Sequence, residues 1–327
     1  MIKKAVEGFF NQMYPTQDYT PIYFKIDVLE RYFKDPRFLV WYSDYRGSIA
    51  LKDEYAPDDL DEYEEVRDFG LAYSKIDKTK RAVVVFAIDL KNMPIKIQGY
   101  WSTYWLDNQD KYFPNSGFVK NLIKGEWVED ISIFSALLME LHTINEMYKA
   151  MGLPPMFKKE FVFNDLSQND RPTGYHSILL PTRENYYNFV STLEKITTGN
   201  IDIDAFLCPT SSIKATTRMQ LNDDGKEVPK GSVKMLSDWF AANIAGNPKI
   251  QSDVIEPLKK LVKLRQTPAH KLYKNDYDES IWSDQNKLIC EIYTAIRNIR
   301  LLLANHPQAK LVKVDKILYE GRNIKIY

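Results

Sequence analysis

Ala82-Val83-Val84-Val85-Phe86-Ala87-Ile88 is an unbroken β-branched and aromatic run. A short apolar run of that composition reads as a strand, so this part of the chain must build a sheet. The turn-forming Asp77-Lys78-Thr79-Lys80 precedes it, and Gly70 to Ile76 is the expected hairpin partner. Phe38-Leu39-Val40-Trp41-Tyr42 supplies another strand, and Ile95 to Trp101, entered through Pro94, a further one.

The period then changes. Ile131, Phe134, Leu137, Leu138, Leu141, Ile144, Tyr148 and Met151 form one stripe at helical spacing. Asp130 is the expected cap, and Gly152 with Pro154-Pro155 the stop. A second helix is expected from about Arg183 to Ile196, capped by Thr182. Pro209, the Thr/Ser cluster after it and Asn222-Asp223-Asp224-Gly225 read as loop or small hairpin.

Beyond Gly231 the pattern is helical. Ser232 is expected to cap a helix through about Ala245. Asp253 and Glu256 have the spacing of a capping box, with Pro257 in the first turn. Pro268 disfavours helix at Thr267, so this helix is expected to end or kink near Arg265. Ser283 opens a last long helix carrying Leu288, Ile289, Ile292, Ile296, Ile299, Leu302 and Leu303. Leu311 to Tyr327 alternates and turns at Glu320-Gly321, which suggests a hairpin. The expected fold is α+β: an amino-terminal strand and helix domain over 1–205, a linker over 206–230, and a helical domain with a terminal β-hairpin over 231–327.

The 44 basic residues balance 44 acidic ones, which argues against a simple nucleic-acid coat protein. The balance is uneven along the chain. Residues 214–327 hold 20 Lys and Arg against 13 Asp and Glu, so that part carries +7 and can attract polyanions. Two isolated cysteines, Cys208 and Cys290, make neither a disulfide framework nor a zinc site. With no secretory segment at the start and no apolar run of membrane-spanning length, a cytoplasmic protein is expected.

No phosphate-binding loop, dinucleotide fingerprint, nucleophile elbow or zinc-protease motif occurs. Imidazole chemistry is limited to His142, His176, His270 and His306. His142 has Glu146 one turn on and reads as structural. His306 lies past the last long helix and reads as a cap. His176 sits in a loop.

His270 belongs to Leu264-Arg265-Gln266-Thr267-Pro268-Ala269-His270-Lys271-Leu272-Tyr273. An imidazole can exchange a proton near neutral pH, and a guanidinium can grip a phosphate through two hydrogen bonds. Together they suffice for metal-free RNA cleavage. Lys259, Lys260, Lys263, Lys271 and Lys274 would add backbone affinity. Arg171 with His176, and Arg300 with His306, share the bare spacing but not the polar second residue or the basic surroundings.

An R-x(4–6)-H pair with a polar residue after the Arg, set before the last long helix, resembles the HEPN superfamily. The resemblance covers about residues 231–306. It implies a metal-independent endoribonuclease of the kind found in toxin and phage-defence systems, needing no cofactor. It gives Arg265 the phosphate role, Gln266 the polar second position and His270 the acid/base role, and matches Tyr273 to a following aromatic. It also implies a homodimer with a composite site, and a regulatory partner such as an antitoxin. Some superfamily members only bind RNA or scaffold. Gln replaces the commoner Asn or Asp here, and Pro268 lies inside the motif.

The acidic run from Asp53 to Asp68, nine carboxylates, lacks calcium-loop spacing and reads as a solvated face. It is also a candidate counter-charge for the basic surface around Arg265. Tyr100 to Trp105 is an aromatic cluster that reads as core or interface rather than a base-stacking platform.

Overall fold

The computed structural model describes residues 7–43, 45–58, 64–77, 80–126, 130–161, 172, 174–244, 249–270 and 274–326, and the side chains of 43 and 267–270 lie outside the description. The chain is α+β, and it divides into two compact units. Unit 1 runs to Glu129, and unit 2 takes up Asp130–Ile178 and Thr182–Ile326. The division therefore falls before the first long helix. Residues 206–230, expected as a linker, lie inside unit 2.

Unit 1 holds α1 (Phe9–Met13), β1 (Pro21–Phe24), α2 (Glu30–Lys34), β2 (Phe38–Ser43), β3 (Arg46–Leu51), β4 (Glu65–Ser74), β5 (Arg81–Phe86), α3 (Ala87–Lys91), α4 (Ile95–Ser102), β6 (Tyr112–Pro114) and α5 (Ser116–Lys124). The strands form one antiparallel sheet in the order β1-β5-β4-β3-β2, with β6 on β4. The expected hairpin is β4–β5, with Gly70 opposite Val84. Every residue of β5 is buried, the apolar run from Ala82 to Phe86 and Arg81 with it. Gly70 is needed because Phe118 of α5 packs on it: a Cβ there would meet the Phe118 ring at 2.5 Å. Ile95 to Trp101 is a helix, α4, and not a strand. Pro94 stands at its N-cap, its carbonyl accepts from the Ile97 and Gln98 amides, and Ile97 and Trp101 bury one face a turn apart. Of the aromatic cluster, Trp101 is core, fully buried with its Nε1–H donated to Tyr32 Oη at 2.8 Å, while Tyr100, Tyr104 and Trp105 are half-buried. Three described acids of the 53–68 run pair within unit 1: Glu64 with Arg31, Glu65 with Arg67 and Asp68 with Arg46.

Asp89 in α3 is a perturbed carboxyl. Partial burial, and then the nearby Asp68 charge, push it up to about 6.

Unit 2 holds β7 (Ile131–Ser132), α6 (Ile133–Ala150), α7 (Arg183–Ile196), β8 (Met219–Leu221), β9 (Glu227–Pro229), α8 (Ser232–Asn243), α9 (Glu256–His270), α10 (Ser280–Leu303), α11 (Lys316–Glu320) and β10 (Ile324–Lys325). The expected stripe of α6 is buried from Phe134 to Tyr148, and its cap is Ser132, whose Oγ accepts from the Ser135 amide. Thr182 caps α7 through the Asn185 amide, and Asn222 to Gly225 turns the β8–β9 hairpin. Gly231, not Ser232, is the N-cap of α8. Ser232 Oγ instead donates to the Thr198 carbonyl.

The carboxyl-terminal segment is not a hairpin. Asp315 accepts from the Ile317 amide and starts α11. Gly321 ends that helix at φ 67°, with the Arg297 guanidinium 3.2 Å from where a Cβ would stand. The chain then runs parallel to β7, Ile324 opposite Ile131.

α10 packs on both α6 and α9. It starts at Ser280, three residues before the expected Ser283, and buries Leu288, Ile289, Ile292, Ile296, Ile299 and Leu303. The α6 contact is pinned by a buried ion pair. Arg300 Nε and Nη2 donate to the two Glu140 oxygens, and Nη2 also reaches the Leu318 carbonyl at 3.3 Å. Glu140 is fully buried and Arg300 nearly so. Burial pushes the Glu140 carboxyl up, and the Arg300 and Arg297 charges pull it back. Taking one partner away would strand the other in apolar packing.

Arg300→Met should cost unit 2 about 3–5 kcal/mol in urea unfolding, and Glu140→Gln added to it should recover part of that loss. In unit 1, folded Asp89 keeps its proton to about pH 6 and the unfolded one to 3.8. The folded state therefore binds more protons across that window, and stability falls as pH rises through it. Asp89→Asn should stabilise unit 1 at pH 8 by on the order of 1–2 kcal/mol, discounted for partial exposure, with little effect near pH 3.5.

Candidate nucleic-acid interface

The expected break at Arg265 does not occur. The helical run begins before Asp253, so Asp253 and Glu256 cap nothing and Pro257 lies inside the run. Residues Gln251–Ile255 are π-helical, a widening suited to Pro257, which has no N–H for the α-helical ladder. The α-helix then continues through Pro268 to His270.

That continuity decides how the candidate pair is disposed. At about 100° per residue, positions five apart lie roughly 140° apart around the axis. Leu258, Leu261 and Arg265 share one arc of about 60°, and Lys259, Lys263, Gln266 and position 270 share another. Leu258 and Leu261 are fully buried. Arg265 thus lies in line with the packed stripe of α9 but is itself exposed, and Lys259, Lys263 and Gln266 are exposed on the other arc. A single copy of α9 does not place positions 265 and 270 on the same face. Lys271 and Tyr273 lie outside the described residues.

Arg265 faces α7. Its Nε is 3.9 Å from Glu194 Oε2, with the Arg265 side chain 50% exposed and the Glu194 side chain only 15%. Glu194 Oε1 accepts from Thr198 Oγ1 at 3.2 Å. Glu194 was not legible as a partner: 71 residues separate it from Arg265, and its own helix reads as ordinary. The other basic candidates carry nearby acids. Lys259 pairs with Glu256 at 3.1 Å, Lys260 with Glu291 of α10 at 2.6 Å, and Lys274 with Asp276 at 3.2 Å. All are exposed pairs, each worth about 0–1 kcal/mol, so a polyanion can displace the acids.

The remaining histidines lie elsewhere in unit 2. His142 Nδ1 faces Glu160 at 3.5 Å, not Glu146. His306 is not a ring cap: its Nε2 is 3.0 Å from Ser212 Oγ and its Nδ1 accepts from the Gln308 amide. His176 Nδ1 lies 2.8 Å from the Ser177 carbonyl, and its own carbonyl accepts from Gln285. Arg300, committed to Glu140, is unavailable to a partner at His306. Arg171 lies outside the described residues. Among the described residues, no group of three or more His, Cys, Asp or Glu is placed to hold a metal, and no helix is long and apolar enough to cross a membrane.

No family model, curated protein or solved structure matches this chain.

Helix continuity has a direct readout. Pro268 cannot donate to the Leu264 carbonyl, so Pro268→Ala adds a ladder bond to an intact helix and should stabilise unit 2 by about 1–3 kcal/mol in urea unfolding. A loss of stability would mean that residue 268 turns the chain out of the helix.

Proposed function

We propose that unit 2 is a HEPN-like RNA-binding module that contacts phosphates through α9. The observation that carries this reading is the disposition of Arg265. Its Nε edge faces Glu194 while half of the side chain remains open. A guanidinium that an acid approaches no closer than this can still offer its nitrogens to a phosphate. Lys263 and Gln266 are exposed on the same turns, and Lys259 one turn earlier. The contacts are to backbone phosphates, so the binding has no strong sequence preference.

A second reading is the metal-independent endoribonuclease, active as a homodimer. The shared arc of Lys259, Lys263, Gln266 and position 270 favours it. Two copies meeting through that arc would bring two imidazoles to one phosphodiester. One imidazole would take the 2′-hydroxyl proton as that oxygen attacks phosphorus. The other would protonate the leaving 5′ oxygen, and the product would be a 2′,3′-cyclic phosphate.

Fluorescence anisotropy with a single-stranded RNA tests the first reading. Three phosphate contacts, at Arg265, Lys259 and Lys263, predict a log–log salt slope of about −2, at about −0.7 per contact. Lys259→Ala with Lys263→Ala should flatten it to about −0.7, and His270→Ala should leave affinity unchanged. Absence of salt-dependent binding by the intact protein contradicts the proposal. For the second reading, cyclic-phosphate products in EDTA, rising with the square of protein concentration and lost in His270→Ala, are the expected result. Intact RNA at every protein concentration would dismiss it.

A further inference from the structure

We propose that β2 is a self-association edge: a second copy of the chain pairs antiparallel with it, Val40 opposite Val40 across a two-fold axis. The proposal concerns unit 1 and is independent of the RNA reading of α9.

The two outer strands of the sheet are finished differently. β1 is covered by the chain that follows α4. Gln109 Oε1 accepts from the Tyr23 amide and Gln109 Nε2 donates to the Tyr23 carbonyl, both at 2.8 Å. The Lys25 amide likewise donates to the Tyr104 carbonyl at 2.8 Å. β2 ends the sheet on the other side, with β3 as its one neighbouring strand among the described residues. The Lys52 amide donates to the Arg37 carbonyl at 3.0 Å, and bonded pairs alternate along an antiparallel ladder. Leu39 and Trp41 therefore bond toward β3 as Arg37 does, and the Val40 amide and carbonyl point away from the sheet. Among the described residues, no group bonds to either of them.

Such an edge is ordinarily protected by a charge, a proline or a bulge. Phe38-Leu39-Val40-Trp41-Tyr42-Ser43 holds no charge and no proline, and its pairing with β3 runs without a shift. Phe38 and Tyr42 are buried on one face of the strand. Leu39 lies on the other, opposite the small Ala50, and is 58% exposed.

A second β2 complements these features. Two-fold antiparallel pairing sets outward backbone groups against outward ones, so the two Val40 residues exchange N–H···O bonds. It also lays Leu39 of each copy beside Trp41 of the other, an aromatic–aliphatic pair formed twice. Charge does not oppose the contact. β2 itself is uncharged, and the flanking Arg37 and Arg46 are each paired with an aspartate, Asp35 and Asp68.

A six-residue edge buries little surface, so association is expected in the range of about 1–100 μM. Sedimentation velocity on the full-length protein across that range should show monomer converting to dimer. Leu39→Lys, at an exposed position, should raise the dissociation constant about 10-fold by putting a charge into both Leu39–Trp41 contacts. Val40→Pro removes an outward N–H and no bond to β3, and should weaken the dimer further. Hydrogen exchange locates the contact: protection over residues 38–42 should rise with protein concentration in the unaltered chain and stay level in Leu39→Lys. A chain that remains monomeric to 100 μM overturns the inference. A dimer that both variants leave intact, or one that adds no protection to β2, overturns it too, because its contact then lies elsewhere. Neither result bears on RNA binding by α9.

Discussion

Unit 2 depends on one buried charge pair. Glu140 and Arg300 come from helices whose other inward residues include Phe134, Leu137, Leu138, Leu141, Ile292, Ile296 and Ile299. A carboxylate and a guanidinium in such surroundings tolerate one register of α6 against α10, because any slip leaves two charges without water or partner. The same guanidinium bonds the Leu318 carbonyl, so the register extends to α11 and to the short parallel pairing of β10 with β7. Since α9 packs on α10, the orientation of α9 follows from it as well.

The chemistry open to α9 is then a matter of helical phase. An arginine and a histidine with four residues between them suggest a catalytic pair when the chain breaks between them. When it does not, the two positions diverge around the axis. Arg265 falls in line with the packed arc and faces Glu194, and position 270 joins the lysine arc. Binding can proceed in one copy, whereas cleavage by the His270 imidazole calls for a second.

Much of this was legible in the sequence. The β4–β5 hairpin, α6, α7 and the α10 stripe follow from apolar periodicity, because those segments are long or strongly patterned. The misread elements are short or turn on a single residue. Ile95 to Trp101 carries apolar residues that suit either period, and Pro94 starts a helix as readily as it enters a strand. Glu320-Gly321 looks like a hairpin turn, yet Asp315 had already begun a helix that Gly321 closes. Pro268 reads as a stop, but it stands near the end of a helix held by packing on α7 and α10, where tertiary contact outweighs local preference. Glu140 and Arg300 gave no signal as a pair across 160 positions, and neither did Glu194 and Arg265, since pairing over such separations follows from the fold and not from local pattern.

Helix α9 passes through Pro268 without breaking. Backbone carbon chemical shifts over residues 262–270, measured by NMR on the full-length protein, test it most directly. Helical values continuing through Ala269 are predicted. Extended values at Thr267 would mean the chain turns there, and would bring Arg265 and His270 back within reach of one phosphate.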